Sequence, residues 1–147
     1  KAVQDFFAEN SIHYLINQEG TLQKFSSNSI DIYLGDFFDL NSEVTSLFNA
    51  IYDRASIVAI EKFERKKYVD HLISFLGSTG RILLITLEYD QNKMQGPPYS
   101  VSIEEIESLF SECCSVKLLE TCDILDERFR NKGLTHLLEH VFLIEKK

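Results

Sequence analysis

Two carboxylate–arginine pairs stand where apolar runs of this chain stop. One is Asp53-Arg54, after the run Phe48 to Tyr52; the other is Asp126-Glu127-Arg128, in a polar stretch after Val116 to Leu119. A guanidinium beside an acidic group favours its anionic form, because opposite charges in proximity stabilise one another. On spacing alone, Asp53-Arg54 also reads as a local ion pair at a loop, and Asp126 to Arg130 as a solvated charge run. A third segment, Gly35-Asp36-Phe37-Phe38-Asp39-Leu40, follows an alternating run. The Asp36 carboxylate can accept from an exocyclic amine and the Phe37 ring can pack on a base; a strand-to-loop turn with Phe in the core fits the same residues. The fourth segment, Glu88 to Val101, carries both prolines of the chain, Pro97 and Pro98, side by side. Gly96-Pro97-Pro98 cannot continue a helix or a central strand, so it fixes a rigid loop at the end of a buried strand. In open α/β sheets that end is where ligands bind, which makes Tyr89, Pro97 and Pro98 candidates for a preshaped apolar wall. The histidines at 13, 71, 136 and 140 share no metal-ligand spacing, nor do Cys113, Cys114 and Cys122, and no metal is expected.

The elements that must carry these segments alternate. An amphipathic helix with Val3, Phe6 and Phe7 on one face opens the chain and ends near Asn10. Residues 12–28 read as polar and irregular, with a turn at Glu19-Gly20 and a short strand over Leu22 to Phe25. Ser26 to Ser29 is a turn, and Ile30 to Leu34 alternates as a second strand, making a hairpin. A short helix starts at Asn41-Ser42-Glu43. The clearest helix spans Glu61 to Leu76, with Val69, Leu72, Ile73 and Leu76 as its stripe and Gly77 as its C′ residue. Arg81 to Leu87 is almost continuously apolar, the pattern of a strand covered on both faces. Ser102 to Glu105 is a capping box that opens a helix with Ile103, Ile106, Leu109 and Phe110 inward. Strands over Val116 to Leu119 and Val141 to Ile144 close the chain, with residues 126–130 as a loop between them. The order implies a doubly wound α/β sheet. The last two strands have no crossover helix of normal length between them, so the last is expected to run antiparallel.

At 147 residues and 44% apolar composition the chain has the size of one domain, 1–147. A net charge of -8 argues against a nucleic-acid partner and against an anionic membrane surface. No apolar run approaches the ~18 residues of a spanning helix. Odd and sparse cysteines read as reduced thiols, and a cytoplasmic setting is expected.

Three of these segments carry a family resemblance. Gly35 to Leu40, Ile51-Tyr52-Asp53-Arg54 with the following Val58-Ala59-Ile60, and the Gly96-Pro97-Pro98 loop are similar to those of the thiopurine S-methyltransferase family. The family usually has Gly where Ala55 stands and often Trp where Tyr52 stands. The resemblance implies a mostly parallel, Rossmann-like class I methyltransferase sheet, S-adenosylmethionine as co-substrate, and a small aromatic or heterocyclic thiol as acceptor. By position, Asp36 and Phe37 inherit contact with the adenine, and Asp53 and Arg54 lie beside the donor. Arg54, Tyr89, Pro97, Pro98 and Arg128 inherit the acceptor side, Arg128 through Asp126-Glu127-Arg128 followed by Gly133. No catalytic base is named. The family's glycine-rich loop and its ribose-binding acid find no match, since no Gly-x-Gly occurs. The chain is therefore read as the C-terminal two-thirds of such a domain, inactive by itself and a monomer when intact. The rival readings are a halide or small-thiol methyltransferase of the same superfamily and a noncatalytic α/β binding module.

Overall fold

The computed structural model describes residues 1–147. They group into two units, Lys1–Ser46 and Leu47–Lys147.

In the first unit, helix α1 (Ala2–Glu9) buries Phe7. Tyr14 stacks on Phe7 with ring centroids 4.6 Å apart and tilts against Phe25 at 5.7 Å. Such pairs contribute about 0.5–1.5 kcal/mol beyond their buried area, so three rings and Leu22 make a small core. Strands β1 (Leu15–Glu19), β2 (Leu22–Ser26) and β3 (Asp31–Leu34) form an antiparallel meander. The β2–β3 hairpin follows the expectation. The sequence predicts an irregular segment where β1 forms; β1 is exposed from Leu15 to Gln18, so its residues need not alternate. The link from β1 to β2 is the two-residue loop Gly20-Thr21, where Gly20 has φ +61°, a left-handed conformation that favours glycine. The short helix α2 (Ser42–Thr45) is capped by Asn41, whose side chain accepts from Glu43 and Val44.

The second unit is a four-stranded mixed sheet. Its strands are β4 (Phe48–Asp53), β5 (Leu76–Glu88), β6 (Cys114–Asp123) and β7 (Leu138–Lys146), in the order β4-β5-β7-β6. β4 and β5 are parallel, while β7 runs antiparallel to both β5 and β6. Thus β4, β5 and β6 share one direction and only the last strand is reversed, as expected. The crossover helices are α3 (Arg65–Ser74) and α4 (Ile103–Phe110). Both crossovers step the same way across the sheet, so their right-handedness places both helices on one face. That face carries Ile82, Leu84, Phe142 and Ile144, all buried. The other face is not covered by a helix of this unit: Leu83 is 39% and Tyr52 62% exposed. The continuous apolar run Arg81 to Leu87 predicts a strand covered on both faces; within this unit, helices cover one of them. β4 is an edge strand.

The two helices are tied to each other as well as to the sheet. The Arg65 guanidinium, 2% exposed, donates through Nε to the Ile60 carbonyl at 3.0 Å and through Nη1 to Glu105 Oε1 at 2.8 Å. Removing one partner of such a buried pair costs about 3–5 kcal/mol. The exposed Lys66–Asp70 pair on α3 contributes little by comparison. Several boundaries differ from the sequence reading, and α3 starts at Arg65 rather than Glu61, after a 3-10 turn over Lys62–Glu64. α3 stops at Ser74, because Leu76 is claimed by β5 and pairs with Phe48, so Gly77 lies in a strand rather than at a helix C′ position. β6 runs to Asp123, well past Leu119. Residues 127–130 form a short helix, α5 (Glu127–Arg130), because the Asp126 side chain accepts from the Phe129 N–H and caps it.

Candidate functional site

Three co-directional strands end at one edge of the second unit's sheet, and each hands the chain to a segment of interest. Glu88 at the end of β5 and Asp123 at the end of β6 both stand level with Leu138 of β7. Arg54 follows β4, the loop beginning at Tyr89 follows β5, and Arg128 lies on α5 after β6. The segments that carry Tyr89 and Arg128 are also packed together. Tyr89, Leu134 and Leu137 form a buried cluster, with Leu87, Met94, Leu125 and Phe129 against it. Phe129, the neighbour of Arg128, therefore anchors the β6–β7 connection to the proline loop. Nothing in residues 123–137 signals this contact, because the cluster is assembled from residues about forty apart in sequence.

Asp53 is buried and already engaged. Its Oδ2 accepts from the Tyr68 hydroxyl at 2.6 Å and its Oδ1 from the Ser56 N–H at 3.0 Å. It shapes the turn after β4 and links it to α3, leaving Arg54 as the outward-facing charge. The Arg54 side chain is 66% exposed, and its nearest anion is Glu139 at 3.9 Å. A pair this long and exposed binds weakly, so the guanidinium is available to a ligand. Arg128 is 83% exposed and holds Asp126 through Nε at 2.8 Å. That hydrogen bond keeps the Asp126 carboxyl below its usual range.

The proline loop is held from within. Tyr89 is buried, and its hydroxyl donates to the Pro98 carbonyl at 2.5 Å. The Val101 N–H donates to the Leu87 carbonyl at 2.7 Å, and the Tyr99 N–H to Val58 at 2.6 Å. Gly96 has φ +86°, and a Cβ there would lie 2.5 Å from the Tyr99 ring, so the close turn needs glycine. Pro97 is exposed and Pro98 half-buried. Tyr89 thus supports the wall through its hydroxyl, while the prolines present it. On the helix-covered face of the same edge, His140 is buried, with Nε2 3.0 Å from Glu88 Oε2 and Nδ1 2.8 Å from Thr121 Oγ1. No group of three or more His, Cys, Asp or Glu side chains is placed to hold a metal ion.

Asp36 and Phe37 belong to the first unit. Asp36 is exposed at the end of β3, and its Oδ1 accepts from the Phe38 N–H at 2.9 Å, capping a 3-10 turn over Phe37–Asp39. Phe37 is half-buried, its ring 5.7 Å from that of Phe38. Capping through one oxygen leaves the other carboxylate oxygen of Asp36 as an acceptor.

The Tyr68–Asp53 bond has a pH signature. Burial, then the Asp53 charge, raise the Tyr68 hydroxyl well above the usual tyrosine range. Near pH 10 the unfolded chain's tyrosine ionises while folded Tyr68 keeps its proton. The folded state then binds more protons, so this contribution is present below pH 10 and is lost as pH rises further. Tyr68→Phe is expected to flatten that part of the alkaline stability loss, measured as urea midpoints at pH 8 and pH 11. An alkaline loss as steep as wild type would contradict it.

The profile of the thiopurine S-methyltransferase family matches residues 1–147. The chain belongs to that family. It is 40% identical over 147 residues to the thiopurine S-methyltransferase of Nitrosospira multiformis, covering 97% of this chain and 66% of that protein. To that of Aliivibrio salmonicida it is 43% identical over 145 residues, covering 98% of this chain and 67% of the other. The chain therefore spans about two thirds of the length of these relatives. Among solved structures, the N-methyltransferase NodS from Bradyrhizobium japonicum, in complex with S-adenosyl-L-homocysteine, matches with a TM-score of 0.53 at 11% identity. It covers 76% of this chain and 52% of that one. The arsenic(III) S-adenosylmethionine methyltransferase CrArsM from Chlamydomonas reinhardtii matches with a TM-score of 0.52 at 13% identity, over 69% of this chain and 38% of that one. At these identities the likeness shows the fold, which is Rossmann-like. No helix of this thiopurine S-methyltransferase family member is long and apolar enough to cross a membrane.

Proposed function

We propose that the second unit carries the acceptor side of an S-adenosylmethionine-dependent methyl transfer to the sulfur of a small aromatic or heterocyclic thiol. The carrying observation is the edge at which Arg54, the Pro97-Pro98 loop and the Arg128 segment follow three co-directional strands, within a chain matched end to end by the family. Two exposed guanidiniums draw the thiol toward its anion. The apolar proline wall takes a flat ring. The thiolate sulfur attacks the donor's methyl carbon in line, the carbon–sulfonium bond breaks, and the donor leaves as a neutral thioether. The thiol proton goes to solvent before attack, so no protein base is required. Alignment of the two sulfurs supplies most of the acceleration.

Asp36 and Phe37 are the proposed adenine contacts of the first unit, with Asp36 accepting from the exocyclic amine. In the intact protein Asp36→Ala should weaken donor binding by about 1 kcal/mol, roughly fivefold. Titration calorimetry with S-adenosylhomocysteine reads this, and unchanged affinity would remove Asp36 from the site. The reaction class is tested by labelled methyl transfer to a panel of aromatic thiols, halides and selenium compounds. Aromatic thiols should be the best acceptors. Preference for halide would move the protein to a smaller-pocket class, and donor binding without any transfer would make it a binding module.

A further inference from the structure

Gln91 joins the two limbs of the proline loop. Its Nε2 donates to the Met94 carbonyl at 2.6 Å and to the Tyr89 hydroxyl at 3.1 Å, and its Oε1 accepts from the Ser100 N–H at 2.7 Å. The Tyr89 hydroxyl passes the connection on to the Pro98 carbonyl, and the Tyr89 N–H donates to Ser100 Oγ at 3.0 Å. One side-chain amide therefore ties the outgoing limb, 89–94, to the returning limb, 98–100, with Gly96-Pro97-Pro98 at the tip between them. On one flank, Tyr89 and Met94 pack into the apolar cluster with Leu134 and Phe129. Other residues of the loop face open space. A cavity of about 460 Å³ lies there, lined by Gln91, Gln95, Tyr99 and Ser100 of the loop and by Lys62, Arg65 and other residues across from them. Backbone bonds from Tyr99 to Val58 and from Val101 to Leu87 anchor the base of the returning limb, and on the cavity side Gln91 is the side-chain amide that bonds both limbs.

We infer that Gln91 is the positioning residue for the Pro97-Pro98 wall and thereby sets which acceptors fit. The inference rests on the acceptor site proposed above. Gln91 touches no reacting atom; it acts through Tyr89, Ser100 and Pro98. A wall displaced by the width of one methylene changes discrimination between acceptors by roughly 10–200-fold. Gln91→Ala removes all three hydrogen bonds. Gln91→Glu keeps the acceptor for Ser100 but cannot donate to Met94 or Tyr89.

Two readouts on the intact protein test this. By hydrogen exchange, the Ser100 amide should open at least about tenfold faster in Gln91→Ala and stay near wild type in Gln91→Glu, in line with the one bond each variant loses or keeps. By kinetics, both variants should raise the KM for an aromatic thiol by about tenfold while kcat at saturating thiol and donor affinity stay within about twofold. Unchanged Ser100 exchange in Gln91→Ala would overturn the clamp. Faster exchange with an unchanged thiol KM, or equal losses in kcat and donor affinity, would overturn the positioning role. Should the wild-type protein methylate no thiol, the acceptor reading fails, and Ser100 exchange still decides whether Gln91 holds the loop.

Discussion

Replacing Arg54 with alanine in the intact enzyme is expected to lower turnover of an anionic aromatic thiol by on the order of a hundredfold, the scale of one well-placed electrostatic group. Donor affinity should change by less than about twofold. The asymmetry follows from where Arg54 stands. It follows directly on Asp53, which is locked by Tyr68 and Ser56, so the turn that presents the guanidinium is rigid. Its own ion pair with Glu139, at 3.9 Å, is too loose to keep it from a ligand. The loss should shrink for an acceptor with no anionic form. Equal losses in turnover and donor affinity would place Arg54 at the donor instead.

The 147-residue chain by itself is expected to show no measurable binding of S-adenosylmethionine and no methyl transfer. The sequence contains no Gly-x-Gly, so no glycine-rich loop is available to cradle the donor's methionine end. The family resemblance also leaves the ribose without its acid. The second unit adds a physical handicap. β4 is the edge strand of this unit, and no helix of the unit covers the face bearing Tyr52 and Leu83. An exposed strand edge of this kind favours pairing with another chain. Calorimetry with the donor, run beside light scattering to follow association, checks both points. Donor-dependent methylation of an aromatic thiol by these residues alone would show that the donor site is already complete in this sequence.

Much of the edge was legible in the sequence because its signals are local. Gly96-Pro97-Pro98 can only be a loop, and Ser102 opens α4 through its bond from the Glu105 N–H, as its spacing implies. The reversed last strand followed from the lack of room for a crossover helix. What could not be read depends on contacts between distant residues. Leu76 reads as the last turn of a helix until its pairing with Phe48 is known. The run Ile82 to Leu87 looks covered on both faces, because side-chain type records what a surface needs and not which crossovers supply it. Asp53 and Tyr89 look like ligand groups from their places at strand ends; only the bonds to Tyr68 and Pro98 show that their polar atoms are engaged. Gln91 is one polar residue among many in a loop, and no spacing rule distinguishes it.

The placement of the acceptor site is tested most directly by a crystal structure of the intact protein with S-adenosylhomocysteine and an aromatic thiol. The thiol ring should lie against Pro97-Pro98, with its sulfur within hydrogen-bond reach of the Arg54 or Arg128 guanidinium. A thiol bound instead in the cavity behind the loop, among Lys62, Arg65 and Gln91, or on the opposite edge of the sheet, would contradict it.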